Sequence, residues 1–103
     1  MKKSLTILIT GCGAPGTRGT LYAIKNNPDG VNVKFIGSDI NRDVVGGYWV
    51  DKFFVVPNPE NDSYLDAIAS IVRKENVDIV IPQTTREIQF LSQHRNSISK
   101  DVS

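Results

Sequence analysis

An apolar segment that runs directly into a glycine motif leaves this chain few choices of fold. Residues 5–10 form a predicted strand, and Gly11, Gly13 and Gly16 follow it in the spacing G-x-G-x-x-G. Glycine suits such a turn because the chain reverses tightly, lets its backbone approach a ligand, and packs the next helix closely on the strand. Backbone N–H groups then converge at a helix N-terminus, where they favour an anion.

A carboxylate occurs where dinucleotide-binding folds hold a ribose. Asp39 follows the second predicted strand, residues 33–38, at a distance from the glycines that suits this role. We expect Asp39 to contact a ribose or another part of a substrate. Two structural alternatives stay open: the glycines serve only strand-to-helix packing, or Asp39 caps a turn with Asn41.

Strands and helices alternate along the whole chain. Further strands are predicted at 52–56 and 77–81, and helices at 18–26, 64–74 and 85–93, with at most one helical turn in 41–47. In the first helix Leu21, Tyr22 and Ile24 are available for burial, and the last helix carries Ile88 and Leu91. This order predicts an α/β, Rossmann-like, doubly wound and mostly parallel sheet with helices on both faces and strand order 3-2-1-4.

In that strand order the glycine loop faces residues 83–87, which follow the fourth strand. Arg86 offers a planar fork for a carboxylate or phosphate, and Glu87 can accept hydrogen bonds from an amine or a hydroxyl. We therefore predict a substrate site built from Gly11, Gly13, Gly16, Arg86 and Glu87. The alternative for Arg86 and Glu87 is structural, because a helix N-terminus favours glutamate whatever its function.

Composition excludes several classes of protein. Twelve basic and eleven acidic residues leave almost no net charge, which argues against a binder of nucleic acid or of an anionic membrane. The single Cys12 excludes a disulfide framework, and we expect no metal site because the sequence has no Cys/His cluster. We expect a cytoplasmic protein without a membrane-spanning segment.

The 103 residues are predicted to form one domain. Residues 94–103 end where a doubly wound fold would begin another strand, so we expect an N-terminal fragment of a longer protein.

The order of the motifs resembles a known family. Four pieces carry the resemblance: the glycine loop; Gly37-Ser38-Asp39; residues 51–57 with Tyr64-Leu65; and residues 77–82 followed by Thr84, Glu87 and Leu91. Together they resemble the N-terminal domain that precedes the ATP-grasp core in ligases similar to the large subunit of carbamoyl-phosphate synthase. Neither ATP-grasp subdomain is present in these residues.

The resemblance implies that this domain and the downstream domains have different roles. In the family this domain does not use a dinucleotide and forms part of the acceptor-substrate site, whereas ATP and Mg²⁺ are bound mainly by the downstream ATP-grasp domains. The implied partners are those domains and a small carboxylate or amine substrate, with a homodimer possible. We expect no catalytic residue, no tightly bound cofactor and no turnover from this chain alone.

Two other function classes stay open. One is the NAD-binding domain of an oxidoreductase or epimerase, in which Asp39 would hold the ribose hydroxyls. The other is a non-catalytic module that binds a nucleotide or metabolite. The loop 83–87 discriminates best between a ligase domain and a coenzyme-binding domain, because its dense polarity is unusual beside a nicotinamide coenzyme.

Overall fold

The computed structural model describes residues 4–27 and 29–95 of the chain. Its elements are β1 (Ser4–Thr10), α1 (Thr17–Lys25), β2 (Asn32–Asp39), a 3₁₀ turn (Val45–Tyr48), β3 (Lys52–Val55), α2 (Tyr64–Lys74), β4 (Ile79–Pro82) and α3 (Thr85–Gln93). Strands and helices alternate as the sequence predicts, with boundaries that shift by one or two residues. No helix in these ranges is both long and apolar enough to span a membrane.

The four strands form one parallel sheet in the order β3-β2-β1-β4, which confirms the predicted topology. β1 is central: its residues pair with β2 over their whole length, from Ser4 opposite Asn32 to Thr10 opposite Ser38. On its other side β1 pairs with β4 from Ile7 to Thr10. All carboxyl ends of the strands therefore lie at one edge of the sheet.

Alternating side chains of the strands build two apolar clusters, one on each face. Leu8 and Ile36 point to the face covered by α2 and α3, where they join the buried side chains Tyr64, Ile68, Ile71, Val72 and Leu91. Ile7, Ile9 and Phe35 point to the opposite face and pack with Leu21 of α1. The predicted α/β fold with helices on both faces is confirmed.

Three details differ from the sequence-based predictions. Tyr22 was predicted to be available for burial, but its side chain is 71% exposed, and Ile88 is 49% exposed. Each helix needs only a narrow apolar stripe against the sheet, and Leu21 and Leu91 already supply it. β4 begins at Ile79 rather than at residue 77. Residues 94–103 are predicted to end where another strand would begin, and residues 96–103 of this segment lie outside the described part of the chain.

Two aspartates fix the opposite, amino-terminal edge of the sheet by the same device. The N–H of Asp51 donates to the carbonyl of Phe35, while the carboxylate of Asp51 accepts from the N–H of Phe35, both at 2.8 Å. Asp78 and Thr6 exchange the same pair of hydrogen bonds, again at 2.8 Å. Each aspartate precedes an edge strand, so its side chain extends the strand pairing by one residue beyond β3 or β4.

Replacing Asp51 tests this device. Asp51→Ala leaves the Phe35 N–H without its acceptor, and we expect the free energy of unfolding to fall by about 1–2 kcal/mol. Asp51→Asn keeps a carbonyl oxygen and should recover most of that loss. Asp43→Ala is the matched control, because the Asp43 carboxylate is exposed and makes no hydrogen bond within the described residues. Urea denaturation of the three variants measures the differences, and equal loss in all three would contradict the assignment.

Candidate functional site

A cleft of about 370 Å³ opens at the carboxyl ends of the strands. Every strand contributes to it: Gly11 follows β1, Asp39 ends β2, Asn58 follows β3 and Thr84 follows β4. Arg86 and Glu87 reach it from the first turn of α3, and Ile40 and Pro59 form apolar walls. Loops at this edge of a parallel sheet are the usual place for a ligand, because they converge there from several strands. The structure thus brings four of the six predicted site residues to one cleft, and Gly13 and Gly16 do not line it.

Glu87 is the buried polar group of the cleft, with 5% of the residue exposed. One carboxylate oxygen accepts from the phenol of Tyr64 and the other from the hydroxyl of Thr84, at 2.5 and 3.0 Å. Thr84 also caps α3, because its side-chain oxygen accepts from the N–H of Glu87 at 3.2 Å. The helix N-terminus and two hydroxyl donors together compensate the burial of this carboxylate.

Tyr64 contributes from the other side of the network. It begins α2, is fully buried, and packs edge-to-face on the ring of Phe90 in α3 at a centroid distance of 5.2 Å. Burial, reinforced by the hydrogen bond to Glu87, raises the pKa of the Tyr64 phenol well above its usual range. The phenol therefore stays a proton donor to Glu87 through the physiological pH range.

Gly11 is required by close approach as well as by its backbone conformation. Its φ of +63° lies in the left-handed region, and a Cβ atom there would overlap the carboxylate of Glu87 and lie 2.8 Å from the methyl group of Thr84. Gly16 is different: a Cβ at that position has its nearest neighbour, the amide oxygen of Gln83, at 3.8 Å. The first glycine of the motif thus shapes the cleft, while the third tolerates a side chain.

Arg86 bridges the two sides of the cleft mouth. Its guanidinium lies 3.0 Å from the carboxylate of Glu60 and 3.4 Å from the side-chain oxygen of Asn58, both in the loop between β3 and α2. The side chains of Arg86 and Glu60 are 58% and 73% exposed. Such an exposed ion pair contributes little to stability, about 0–1 kcal/mol. The guanidinium can therefore exchange this partner for a ligand carboxylate.

Asp39 binds the glycine loop itself. One oxygen of its carboxylate accepts from the N–H of Gly13 at 2.8 Å, and the other accepts from the N–H of Asn41 at 2.9 Å. Two more N–H groups of the loop already donate to backbone carbonyls: the N–H of Cys12 to Ser38, and the N–H of Ala14 to Gly11. The predicted cup of free N–H groups is thus partly filled by the chain's own carboxylate, and Asp39 caps the turn.

The segment that leads into the 3₁₀ turn covers the same loop. A Cβ atom at Gly13 would lie 2.6 Å from a methyl group of Val44, and one at Gly46 would overlap the carbonyl of Cys12. Cys12 is fully buried beneath this segment, where burial and the nearby charge of Asp39 raise the pKa of its thiol to about 12. A thiol in that state is not a nucleophile at neutral pH.

The charges of the cleft set what it can hold. Asp39 and Glu87 supply two carboxylates, and Arg86 supplies one guanidinium at the mouth. These groups suit a small molecule with an amine or hydroxyl at one end and an anion at the other. Residues 4–27 and 29–95 contain no group of three His, Cys, Asp or Glu side chains that could hold a metal ion.

Sequence reasoning missed three contributors: Tyr64, Asn58 and Glu60. The spacing Thr84-x-x-Glu87 is a capping-box pattern that indicates the start of α3. Tyr64 enters the sequence analysis only as part of the family resemblance, although a buried tyrosine usually needs a partner for its hydroxyl. Asn58 and Glu60 carry no comparable pattern, because only the fold brings their loop to Arg86.

The two outer glycines of the motif give a matched test. We expect Gly11→Ala to lower the free energy of unfolding by about 2–4 kcal/mol, from the left-handed backbone and the overlap with Glu87. Gly16→Ala should change it by no more than about 0.5 kcal/mol, because its φ of −81° is ordinary and the space is open. Thermal and urea denaturation measure both. Equal effects would show that the close approach at Gly11 is not what the motif provides.

The raised pKa of the Tyr64 phenol predicts that the fold becomes less stable at alkaline pH. Above about pH 10 the unfolded chain loses the phenolic proton and the folded chain keeps it, so stability falls by up to about 1.4 kcal/mol per pH unit. Tyr64→Phe should be less stable at neutral pH by about 1–3 kcal/mol, because Glu87 loses a donor. Since the variant lacks the alkaline contribution, its deficit should shrink as the pH rises above 10. Urea titrations from pH 7 to 11 check this, with the exposed Tyr22→Phe as a control whose difference from the parent stays constant.

Comparison with known proteins agrees with the fold and with the predicted kind of domain. The family model described as "PylC-like, N-terminal domain" matches residues 7–102, which is nearly the whole chain. A comparison with curated protein sequences finds no match. The matched range includes all the residues that line the cleft, among them Gly11, Asp39 and Glu87. The chain belongs to the PylC-like N-terminal domain family.

Proposed function

We propose that this domain forms part of the acceptor-substrate site of an ATP-dependent carboxylate–amine ligase of the ATP-grasp type. The family supports the reaction class, because PylC is an ATP-grasp ligase. The observation that carries the proposal is the cleft itself, in which Arg86 stands at the mouth and the carboxylates of Asp39 and Glu87 lie among the other lining groups. The similarity to carbamoyl-phosphate synthase, the downstream ATP-grasp domains and a cytoplasmic location are parts of the same proposal.

Arg86 binds the anionic end of the acceptor in this proposal. Its present partner Glu60 is exposed, so the exchange for a substrate carboxylate breaks a weak contact and forms a bidentate, charge-assisted one. Asn58 lies beside the same guanidinium and keeps it near the mouth. The planar fork also gives direction, because a carboxylate must approach in the plane of the guanidinium.

Glu87 and Asp39 receive the amine or hydroxyl end. The hydroxyls of Tyr64 and Thr84 each use one lone pair of the Glu87 carboxylate, and each oxygen has a second. Because Tyr64 and Thr84 hold Glu87 from two sides, the carboxylate is oriented before any ligand arrives. Asp39 likewise holds a fixed position through the N–H groups of Gly13 and Asn41. Such preorganisation lowers the entropy lost on binding.

The share of this domain in catalysis is positioning. ATP with Mg²⁺, bound mainly by other domains, supplies the activation of a carboxylate as an acyl phosphate. The residues of this chain hold the acceptor at a defined distance and orientation, which contributes to rate by bringing reacting groups together.

Arg86 gives the direct test in the ligase that contains this domain. We expect Arg86→Ala to raise KM for the acceptor roughly ten- to hundred-fold, because a charge-assisted contact of about 1.5–3 kcal/mol is lost. KM for ATP should barely change. Arg86→Lys keeps the charge without the planar fork and should restore only part of the affinity. Steady-state kinetics with each substrate varied in turn measure these effects.

Two controls separate binding from scaffold in that experiment. Glu60→Ala removes the present partner of Arg86 and should leave KM for the acceptor unchanged or lower it, because the guanidinium becomes free. Arg73→Ala removes another exposed arginine, at the end of α2, and should change nothing. Unchanged acceptor kinetics in Arg86→Ala, with an intact melting temperature, would remove Arg86 from the site.

A further inference from the structure

A second cavity, of about 240 Å³, lies on the other face of the sheet from α2 and α3. We call it the α1 groove. Its walls are Arg18, Tyr22 and Lys25 of α1 on one side and Trp49 and Asp51 on the other, and its floor includes Val33 and Phe35 of β2. It shares no lining residue with the cleft at the carboxyl ends of the strands.

One face of α1 supplies the first wall. Residues 18, 22 and 25 follow the helical spacing that places side chains in a row, so Tyr22 lies between two cations. The 71% exposure of Tyr22 conflicts with a role in the core. Trp49 faces the same cavity from the segment before β3 and is 43% exposed. Two large aromatic side chains thus line one small cavity and keep much of their surface in solvent.

The charge of the α1 groove is positive. Neither Arg18 nor Lys25 forms an ion pair with any carboxylate of the part of the chain that the structure describes. The only acidic side chain in the lining is Asp51, and one of its carboxylate oxygens accepts from the N–H of Phe35. Two cations against one engaged carboxylate favour an anion in this cavity.

We propose that the α1 groove binds a small molecule made of one planar aromatic ring and one anionic group. Tyr22 and Trp49 offer π-surfaces for the ring, and the Arg18 fork and the Lys25 ammonium offer donors for the anion. The cavity is smaller than those that take drug-sized ligands, which limits the ligand to a ring with a short substituent. The site is independent of the proposed acceptor cleft.

Trp49 makes the test direct, because it is the only tryptophan of the chain and lines the α1 groove. Its fluorescence is followed while benzoate or phenyl phosphate is added. We expect a saturable change with at least one of these probes. Saturation by benzoate alone identifies an aromatic carboxylate, and saturation by phenyl phosphate identifies an aromatic monophosphate.

Two further probes separate ring from charge. Cyclohexanecarboxylate carries the charge without a planar ring, and benzyl alcohol carries the ring without a charge. Each should bind several-fold more weakly than the best aromatic anion. We expect Arg18→Gln and Lys25→Gln to weaken binding on the order of tenfold each, the scale of one charge-assisted contact. Tyr22→Leu should weaken it several-fold, and because Tyr22 is exposed the variant is expected to fold normally.

The controls locate the binding. Arg73→Gln removes an exposed helical arginine elsewhere and should bind the probe as the parent does. Arg86→Ala should also bind it normally, because Arg86 belongs to the other cleft, so this test and the acceptor kinetics fail independently. The proposal is overturned if no aromatic anion gives a saturable change of Trp49 fluorescence, or if Arg18→Gln and Lys25→Gln bind as tightly as the parent.

Discussion

The buried carboxylate of Glu87 is the interaction on which the carboxyl edge of this domain depends. A charge at that depth is stable only with donors around it, and the chain supplies them from α2, through Tyr64, and from the loop after β4, through Thr84. The same carboxylate lies against Gly11, so the residue that follows β1 must lack a side chain. One glutamate thereby couples the start of both helices on this face to the glycine loop, so a change in any member of the group alters the surroundings of the others.

The fold could be predicted from the sequence almost completely, because its determinants are local. Short β-branched runs, a glycine motif and one strongly amphipathic helix define the elements, and right-handed crossovers leave one natural strand order. The errors of the prediction concern which helical side chains are exposed to solvent. Apolar residues at Tyr22 and Ile88 fit a helical stripe, but how wide a stripe each helix buries depends on the curvature and neighbours of the sheet, which one sequence does not contain.

The site was predictable in position more than in detail. Gly11, Asp39, Arg86 and Glu87 line one cleft because each lies at or just beyond the carboxyl end of a strand, and these ends share one edge of the sheet. Their partners come from distant parts of the chain: Tyr64 for Glu87 and Glu60 for Arg86. The hydrogen bond from the N–H of Gly13 to Asp39 is equally hard to predict, because its acceptor lies 26 residues away in the sequence. Side-chain pairings of this kind carry no periodic pattern, and only the folded chain reveals them.

The paired aspartates align the strands at the amino-terminal edge of the sheet, and the loops at the opposite edge can vary. Asp51 and Asp78 lock the offset of β3 against β2 and of β4 against β1 at the end of the sheet away from the cleft. A strand aligned at one end needs no help from the loop at its other end to keep its side chains on the correct faces. Insertions in the loop that carries Asn58, or exchanges of Arg86 in the first turn of α3, can therefore reshape the cleft without a slip of register. In evolution and in engineering, this architecture lets the cleft change faster than the scaffold that supports it.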